Sequence, residues 1–201
     1  MPASTTLRDV VGLDNRLPAL ADSALIMIDF QNTYRTGVMA LENAEAALAA
    51  GARLLAAARA AGIPVVHVVN DGGEGTPYDI RARIGAISDE VAPLEGEPVV
   101  VKHFPNAFHD TGLEATLRTL NTGTSLVLAG FMTHMCVTFT AQGAFNLGYR
   151  PTVVAEATAT RSLTSPDGTI VPAATLQGAS LTTITDLFGT VAATVGDLTR
   201  A

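Results

Sequence analysis

Hydrophobic residues along the chain form short unbroken runs, separated by longer alanine-rich stretches and by polar segments that contain glycine. The run Ala24–Ile28 contains no polar residue, which is typical of a strand buried on both faces of a parallel sheet. Short strands that alternate with helical stretches indicate sheet and helices in separate layers. We predict strands at Ala24–Ile28, Val65–Val69, Pro98–Val101, Ser125–Ala129, Thr152–Ala155 and Leu181–Ile184.

The segments between these strands carry signals for the ends of helices. Gly62, with Pro64 soon after, gives a stop signal to the long alanine-rich stretch before it. Thr111 and Glu114 have the spacing of a capping box, which marks the start of a helix. Helices are predicted at 41–61, 111–120 and 136–148 and from about Asp186, and a glycine-rich loop is predicted at 70–77.

Together these elements predict an α/β fold of three layers, α/β/α. We expect a doubly wound, mainly parallel sheet of about six strands, Rossmann-like, in the order 3-2-1-4-5-6. A chain of 201 residues suits one hydrophobic core, so residues 21–201 are predicted to form a single domain. Residues 1–20 are predicted to form an N-terminal arm, a candidate for packing on a neighbouring subunit.

Composition and charge restrict the partners. A net charge of −7 and an isoelectric point near 4.9 argue against nucleic acid, because phosphate binding requires clustered lysine and arginine. No run reaches the roughly 18 apolar residues of a membrane span, and the first twenty residues lack the apolar segment of a secretory signal. We therefore predict a cytoplasmic protein without a membrane partner. Only 15% of residues are charged, which favours a homo-oligomer.

Two residue types occur once each: the chain has one cysteine, Cys136, and one lysine, Lys102. A single cysteine excludes an internal disulfide and a multi-cysteine zinc site. Both residues, and Asp29, follow the predicted ends of strands, where doubly wound proteins bind ligands. Each has an ordinary alternative: Asp29 could cap a loop, Lys102 could be solvated and Cys136 could fill the core. Because all three are expected at the same edge of the sheet, together they indicate a reactive site.

These three side chains together suit acyl transfer through a thiolate. An ordinary thiol has a pKa near 8.5, so only about three per cent is ionised at pH 7 and a base must remove its proton. Asp29 can act as that base, and the Lys102 ammonium can favour both anions. Cys136 lies near the start of a predicted helix, whose free N–H groups favour an anion at sulfur.

Three sequence blocks carry a resemblance to a known family. They are Ile26–Asn32, Val100–Phe108 and Gly130–Val137, the last followed by Gly148 and Tyr149. In this order and spacing the chain resembles the isochorismatase-like cysteine hydrolases, the superfamily that includes nicotinamidases. The likeness runs from about residue 24 to residue 184, and it implies the fold of that superfamily.

The resemblance also implies roles for particular residues. Asp29 would be the base, Lys102 the charge-stabilising member and Cys136 the nucleophile. Backbone N–H groups of Met132 and Cys136 would form an oxyanion hole, shaped by a cis peptide bond between Phe131 and Met132. The aspartate and histidine cluster that binds metal in nicotinamidases is missing from this sequence, so we predict no metal and no cofactor. His67 is interpreted as a core or rim histidine.

The presence of a cysteine at position 136 favours C–N bonds, because isochorismatases that cleave a vinyl ether lack it. We therefore predict hydrolysis of an amide in a small molecule through a thioester. The alternatives are an isochorismatase-type ether hydrolase and a non-catalytic protein of the same fold that binds small molecules. Side chains near the blocks are predicted to contact the substrate: Phe30, Tyr34, His103, Phe104, Phe108, Phe131 and His134. Gln31 and Asn32 are expected to brace the loop after Asp29.

Other classes of function fit the sequence less well. Gly72, Gly73 and Gly75 follow a strand, but they lack the GxGxxG spacing of dinucleotide-binding loops. The chain has no GxSxG motif of a serine hydrolase. A redox thiol would need a resolving cysteine, and the chain contains only Cys136.

Overall fold

The computed structural model describes residues 3–199, so residues 1–2 of the predicted arm and 200–201 of the predicted domain lie outside the described residues. The strands are β1 Ala24–Ile28, β2 Val65–Asn70, β3 Val99–Lys102, β4 Ser125–Phe131, β5 Arg150–Ala159, β6 Leu163–Thr164, β7 Ile170–Val171 and β8 Thr190–Ala192. The α-helices are α1 Leu7–Val10, α2 Ala44–Ala60, α3 Leu113–Thr119, α4 Thr138–Asn146, α5 Ala173–Thr183 and α6 Gly196–Thr199.

Six strands form one sheet in the order β3-β2-β1-β4-β5-β8, and every neighbouring pair in it is parallel. The remaining strands, β6 and β7, form a separate antiparallel hairpin. The predicted doubly wound α/β fold is therefore confirmed. Strand order reverses between β1 and β4, and in such sheets ligands bind at that point, outside the carboxyl ends of the strands.

The hydrophobic core lies on both faces of the sheet, as β1 shows. All five residues of β1 are buried. Leu25 and Met27 pack into the cluster that contains α2, while Ala24, Ile26 and Ile28 pack into the cluster that contains residues of α3 and α4. A strand covered by helices on both faces needs apolar residues at every position, which explains why its sequence does not alternate.

The predicted sixth strand is wrong in position. Leu181–Ile184 ends α5 and begins a π-helical turn, Ile184–Phe188, whereas the sixth strand of the sheet is β8. A short apolar run fits either a strand or one side of a buried helix, and its pattern alone cannot distinguish them. The helix predicted from Asp186 is also wrong, because Asp186 lies in that turn and α6 begins at Gly196.

Two helix starts differ from their predictions. The helix predicted from Leu41 begins at Ala44, because Glu42 forms a β-bridge with Thr160 and Asn43 has a left-handed backbone, with φ 64°. The capping box at Thr111 does not form. The α3 N-cap is Gly112, and the Thr111 hydroxyl instead donates to the Ala107 carbonyl oxygen.

The described part of the N-terminal arm lies against its own chain. The Leu7 N–H donates to Asp186 Oδ1, and the Arg8 guanidinium donates to the Leu187 carbonyl oxygen. Both acceptors belong to the π-helical turn that follows α5. No helix within residues 3–199 has the length and apolar character needed to cross a membrane.

Candidate active site

The site is built where β1 and β4 end side by side. Asp29 follows β1 with a left-handed backbone, φ 51°. Gly130, near the end of β4, pairs with Ile28 and has φ 135°. A Cβ atom at Gly130 would overlap the Ile28 carbonyl oxygen, so only glycine allows this close approach. The two strand ends are thereby held against each other, and Asp29 emerges beside the turn that carries Cys136.

Lys102, the last residue of β3, brings its ammonium group to that same point. Its Nζ atom lies 2.8 Å from Asp29 Oδ2 and 3.3 Å from Cys136 Sγ. The side chains of Asp29 and Lys102 are fully buried, and Cys136 is 7% exposed. Strand β3 is two places from β1, and the long lysine stem spans that distance. The structure therefore brings together the three residues that the sequence singled out.

Burial dominates the electrostatics of this cluster. It raises the pKa of Asp29, against the opposing effect of Lys102. Burial lowers the pKa of Lys102, but the charges of Asp29 and Cys136 outweigh it, so the pKa is raised and the ammonium form is kept. Burial and then Asp29 raise the pKa of the Cys136 thiol. Desolvation of the thiol therefore exceeds the help that Lys102 gives to a thiolate.

Cys136 lies in a single π-helical turn, Thr133–Val137, directly before α4. The peptide bond between Phe131 and Met132 is cis, the arrangement that the family resemblance implies. The Met132 carbonyl oxygen accepts the N–H groups of Met135 and Val137, on either side of Cys136. The Thr133 hydroxyl donates to the Ala159 carbonyl oxygen, which fixes the turn to the end of β5.

Three of the aromatic side chains predicted to contact substrate form a row that leads from the site into the core. The Tyr34 ring meets the Phe131 ring edge-on at 5.6 Å, and Phe131 meets Phe30 at 4.9 Å. Burial raises the pKa of Tyr34, and the charges of Asp29 and Cys136 add to the rise. Phe30 packs over Gly51 of α2, and all three rings are buried in the same core cluster.

Three further residues predicted to contact substrate are His103, Phe104 and Phe108, and each has another partner in the structure. His103 is exposed, and its Nδ1 atom lies 2.8 Å from the Asp71 carbonyl oxygen. Phe104 is 46% exposed and meets His109 edge-on. Phe108 stacks on Tyr149, which precedes β5 at the amino edge of the sheet. His103 therefore stays at the carboxyl edge beside the end of β2, whereas Phe108 lies at the opposite edge of the sheet.

His134 remains beside the site, together with residues that the sequence did not reveal. The His134 ring bonds through Nδ1 to the Thr160 hydroxyl, and burial and then Arg161 lower its pKa. Burial raises the pKa of Tyr78, while the charges of Cys136 and Arg161 also act on it, in opposite directions. The Tyr78 ring meets the Tyr34 ring edge-on at 5.8 Å, and Arg161 directly follows Thr160, the residue that His134 contacts. Tyr78 directly follows the predicted glycine-rich loop, and Arg161 lies beyond the predicted end of the fifth strand.

The other predicted supports of the site lie where expected. Gln31 is fully buried and bonds to the backbone of Asn70 and Gly85. Asn32 donates to the Arg83 carbonyl oxygen. His67 lies in the core with its Nε2 atom 3.0 Å from Glu97 Oε2. Within residues 3–199, no three histidine, cysteine or acidic side chains are grouped so that they could hold a metal ion.

Fold and site define the class of protein: a doubly wound α/β domain in which a thiol, an ammonium group and a carboxylate meet at the carboxyl edge of the sheet. The isochorismatase domain model matches residues 23–194. The chain belongs to the isochorismatase family and is a hydrolase of that family.

Individual relatives match over most of the chain. It is 35% identical over 188 residues to the secreted isochorismatase effector Isc1 of Verticillium dahliae, covering 93% of this chain and 96% of that protein. The ureidoacrylate amidohydrolase RutB of Variovorax paradoxus is 30% identical over 217 residues, covering 90% of this chain and 81% of RutB. The crystal structure of an isochorismatase from Pseudomonas putida is 38% identical with a TM-score of 0.92, covering 98% of this chain and 100% of that one.

Proposed function

We propose that the chain is a cysteine-dependent amidohydrolase that cleaves a C–N bond of a small molecule through a thioester on Cys136. One observation carries the proposal: a buried ammonium group contacts both a buried carboxylate, at 2.8 Å, and the thiol, at 3.3 Å. A nucleophile with an adjacent base and a fixed positive charge is the arrangement that covalent catalysis requires. Asp29 is the base, Lys102 the fixed charge and Cys136 the nucleophile.

In the first half of the reaction, Sγ attacks the amide carbon while Asp29 accepts the thiol proton. The carbonyl electron pair moves to oxygen, and the N–H groups of Met132 and Cys136 donate to that oxyanion. Asp29 then protonates the nitrogen, the C–N bond breaks, and ammonia or an amine leaves a thioester behind.

In the second half, water attacks the thioester carbon and Asp29 accepts a proton from that water. The tetrahedral intermediate collapses, the C–S bond breaks, and the proton returns to sulfur. The sum is amide plus water giving carboxylic acid plus ammonia or amine, with the enzyme unchanged. Lys102 keeps its proton throughout, and its charge offsets whichever of Asp29 and Cys136 is the anion.

The guanidinium group of Arg161 favours a substrate that carries a negative charge. Its buried Nε atom has no hydrogen-bond partner among residues 3–199. Its Nη1 atom has only long contacts with uncharged atoms, 3.4 Å to the Val38 carbonyl oxygen and 3.6 Å to Met39 Sδ. A guanidinium group matches a carboxylate in geometry and charge. The name of RutB describes such a substrate, ureidoacrylate, which combines a C–N bond with a carboxylate.

The test is release of ammonia from a panel of small amides that includes nicotinamide and ureido acids, with and without a carboxylate. For an amide that the native protein hydrolyses, Cys136→Ala is expected to reduce kcat by about four orders of magnitude or more. Cys136→Ser is the matched control for shape, since it keeps a weaker nucleophile in the same place. An acyl adduct on Cys136, detected by intact-protein mass spectrometry, would support the thioester directly.

Three outcomes would count against the proposal. Amide hydrolysis that survives Cys136→Ala would exclude the thioester. Hydrolysis of isochorismate that does not depend on Cys136, without turnover of any amide, would favour the ether hydrolase. Binding of these molecules without turnover of any of them would favour a non-catalytic protein.

A further inference from the structure

Asn70 is the third contact of the Lys102 ammonium group. Its Oδ1 atom lies 3.3 Å from Nζ, in addition to Asp29 Oδ2 at 2.8 Å and Cys136 Sγ at 3.3 Å. We propose that Asn70 is a positioning residue that orients the lysine ammonium between carboxylate and thiol. The proposal rests on the proposed function, in which that ammonium is the fixed charge of the reaction.

The number of contacts matches the chemistry of the group. An ammonium group has three hydrogens and accepts nothing, so three acceptors satisfy it completely. Only the amide oxygen of asparagine can accept from it, which determines the orientation of the Asn70 side chain. With one hydrogen assigned to Asn70, the other two are directed at Asp29 and Cys136. The free rotation of the ammonium group is thereby replaced by one arrangement.

Lysine needs such a partner more than arginine would. Its charge is compact and sits on a flexible stem, so the protein must fix its position. Lys102 leaves β3 and reaches across β2 to the end of β1. Asn70 is the residue of β2 whose Cα atom pairs with that of Lys102. It therefore lies on the path of the lysine stem, between the strand that carries the ammonium and the strand that carries the base.

Asn70 is itself held rigidly. Gln31 Nε2 donates to the Asn70 carbonyl oxygen and Gln31 Oε1 accepts the Asn70 N–H, each at 3.0 Å. The same Nε2 atom also donates to the Gly85 carbonyl oxygen at 2.6 Å. Since Gln31 fixes the backbone of Asn70 on both sides, the Asn70 side chain is left for the ammonium group.

A neutral acceptor is suited to this position. An aspartate at position 70 would place a second carboxylate on the ammonium, which would compete with Asp29 and disfavour a thiolate nearby. The asparagine satisfies the third hydrogen without charge, so the positive charge remains divided between the base and the nucleophile. The proposal therefore predicts that charge at position 70, and not only its shape, controls the reactivity of Cys136.

The test measures the rate of Cys136 alkylation by iodoacetamide against pH, which needs no substrate. Asn70→Asp keeps the shape and adds a charge; its profile is expected to move to higher pH by about one unit, which makes alkylation at pH 7 about tenfold slower. Asn70→Ala is expected to slow alkylation less, about threefold, because the ammonium loses orientation without gaining a rival anion. Asn146→Asp is the control, since it adds the same charge at an exposed position at the end of α4.

Asn70→Ser tests whether a smaller acceptor restores the contact, since the serine hydroxyl oxygen can still accept a hydrogen bond from the Lys102 ammonium group. An alkylation profile between those of Asn70→Ala and the native protein would support the proposal. Profiles of Asn70→Asp and Asn70→Ala that coincide with that of Asn146→Asp would overturn it. The proposal would also be overturned if the alkylation rate fell equally at all pH values and in step with a lower melting temperature, since this would be a structural effect. If the alkylation profiles move but no amide is hydrolysed, the proposed function fails and the positioning role of Asn70 stands. If Cys136→Ala abolishes amide hydrolysis but the Asn70 variants leave the alkylation profile unchanged, the proposed function stands and the positioning role fails.

Discussion

Two clusters in this molecule, one buried and one partly exposed, each contain a cation, a carboxylate and a third titratable group, and the pKa of the carboxylate is shifted in opposite directions. In the first, Asp29 meets Lys102 and Cys136 at the carboxyl edge of the sheet, and burial raises its pKa. In the second, Glu97 meets Arg59 and His67. Hydrogen bonds from Arg59 lower the pKa of Glu97 to about 2, against the effect of burial.

The depth of burial, together with the paired donors of Arg59, explains the difference. Arg59 donates to both oxygens of Glu97, at 2.8 Å each, and the Leu94 N–H donates as well. Several donors to one carboxylate stabilise its charged form. Asp29 is fully buried, and for it the loss of hydration outweighs the contacts with Lys102 and Cys136. The first carboxylate therefore takes up a proton more readily than an ordinary one, as the base of the proposed mechanism must, whereas the second keeps its charge.

Breaking the first cluster is expected to have the largest effect. Lys102→Met removes the charge and leaves Asp29 buried without a counter-ion, so we expect kcat/KM to fall by about 10³-fold. The free energy of unfolding should fall by about 3–5 kcal/mol, as for other broken buried pairs. Turnover of an amide substrate and urea unfolding measure the two effects.

The double variant Lys102→Met with Asp29→Asn separates charge from catalysis. It removes both charges, so it should recover much of the lost stability while remaining inactive. Full activity in the single variant would remove Lys102 from the mechanism. A double variant no more stable than the single one would show that the buried charge of Asp29 is not the cause of the instability.

Breaking the second cluster should affect stability alone. Glu97→Gln keeps the shape but removes the charge that Arg59 contacts, and we expect the free energy of unfolding to fall by about 1–2 kcal/mol, because Arg59 is partly exposed. Glu114→Gln is the matched control, since Glu114 forms an exposed pair with Arg118 four residues later, worth only about 0.3–0.5 kcal/mol. In both variants kcat/KM should stay within about twofold of the native value. A large loss of activity in Glu97→Gln would contradict the separation of the two clusters.

The sequence could predict the first cluster because its members mark strand ends. Asp29 interrupts an apolar run and Lys102 ends another, and in a parallel sheet such ends share one edge. It could not predict the directions of neighbouring side chains. Phe104 and Phe108 follow Lys102 closely, yet tertiary packing turns one to solvent and the other to Tyr149.

Arg161 was missed for a related reason. The predicted fifth strand ends at Ala155, before a glutamate, whereas β5 continues to Ala159. Its pairing with β4 changes register between Leu128 and Gly130, so the extra residues form an irregularity. In such an irregularity a polar side chain can point to the other side of the sheet than it would in a regular strand. The alternation of polar and apolar residues is then lost, so it cannot show that the strand continues. The carboxyl end of β5, and with it Arg161, therefore lies beyond the predicted boundary.

The smallest expected effect is that activity and stability are lost in two different ranges of acidic pH. The proposed mechanism needs Asp29 as a carboxylate, and burial raises its pKa, so kcat/KM should fall with decreasing pH above the ordinary carboxylate range of about 4. The pKa of Glu97 is lowered from 4.5 to about 2 in the folded protein. Its contribution to stability is therefore complete above pH 4.5 and is lost as the pH falls toward 2.

Between these limits the protein should be inactive but folded, and it should recover activity when the pH is raised. His67 adds a shallower slope: burial lowers its pKa below the ordinary 6.5, so the unfolded chain takes up that proton first and stability declines as the pH falls below 6.5. Circular dichroism and kcat/KM measured across pH 3–8 distinguish the clusters. Glu97→Gln should make stability depend less on pH below 4.5 and should leave the fall of kcat/KM with decreasing pH unchanged. Activity and circular dichroism that fall together in both proteins would mean that unfolding, and not protonation of Asp29, causes the loss.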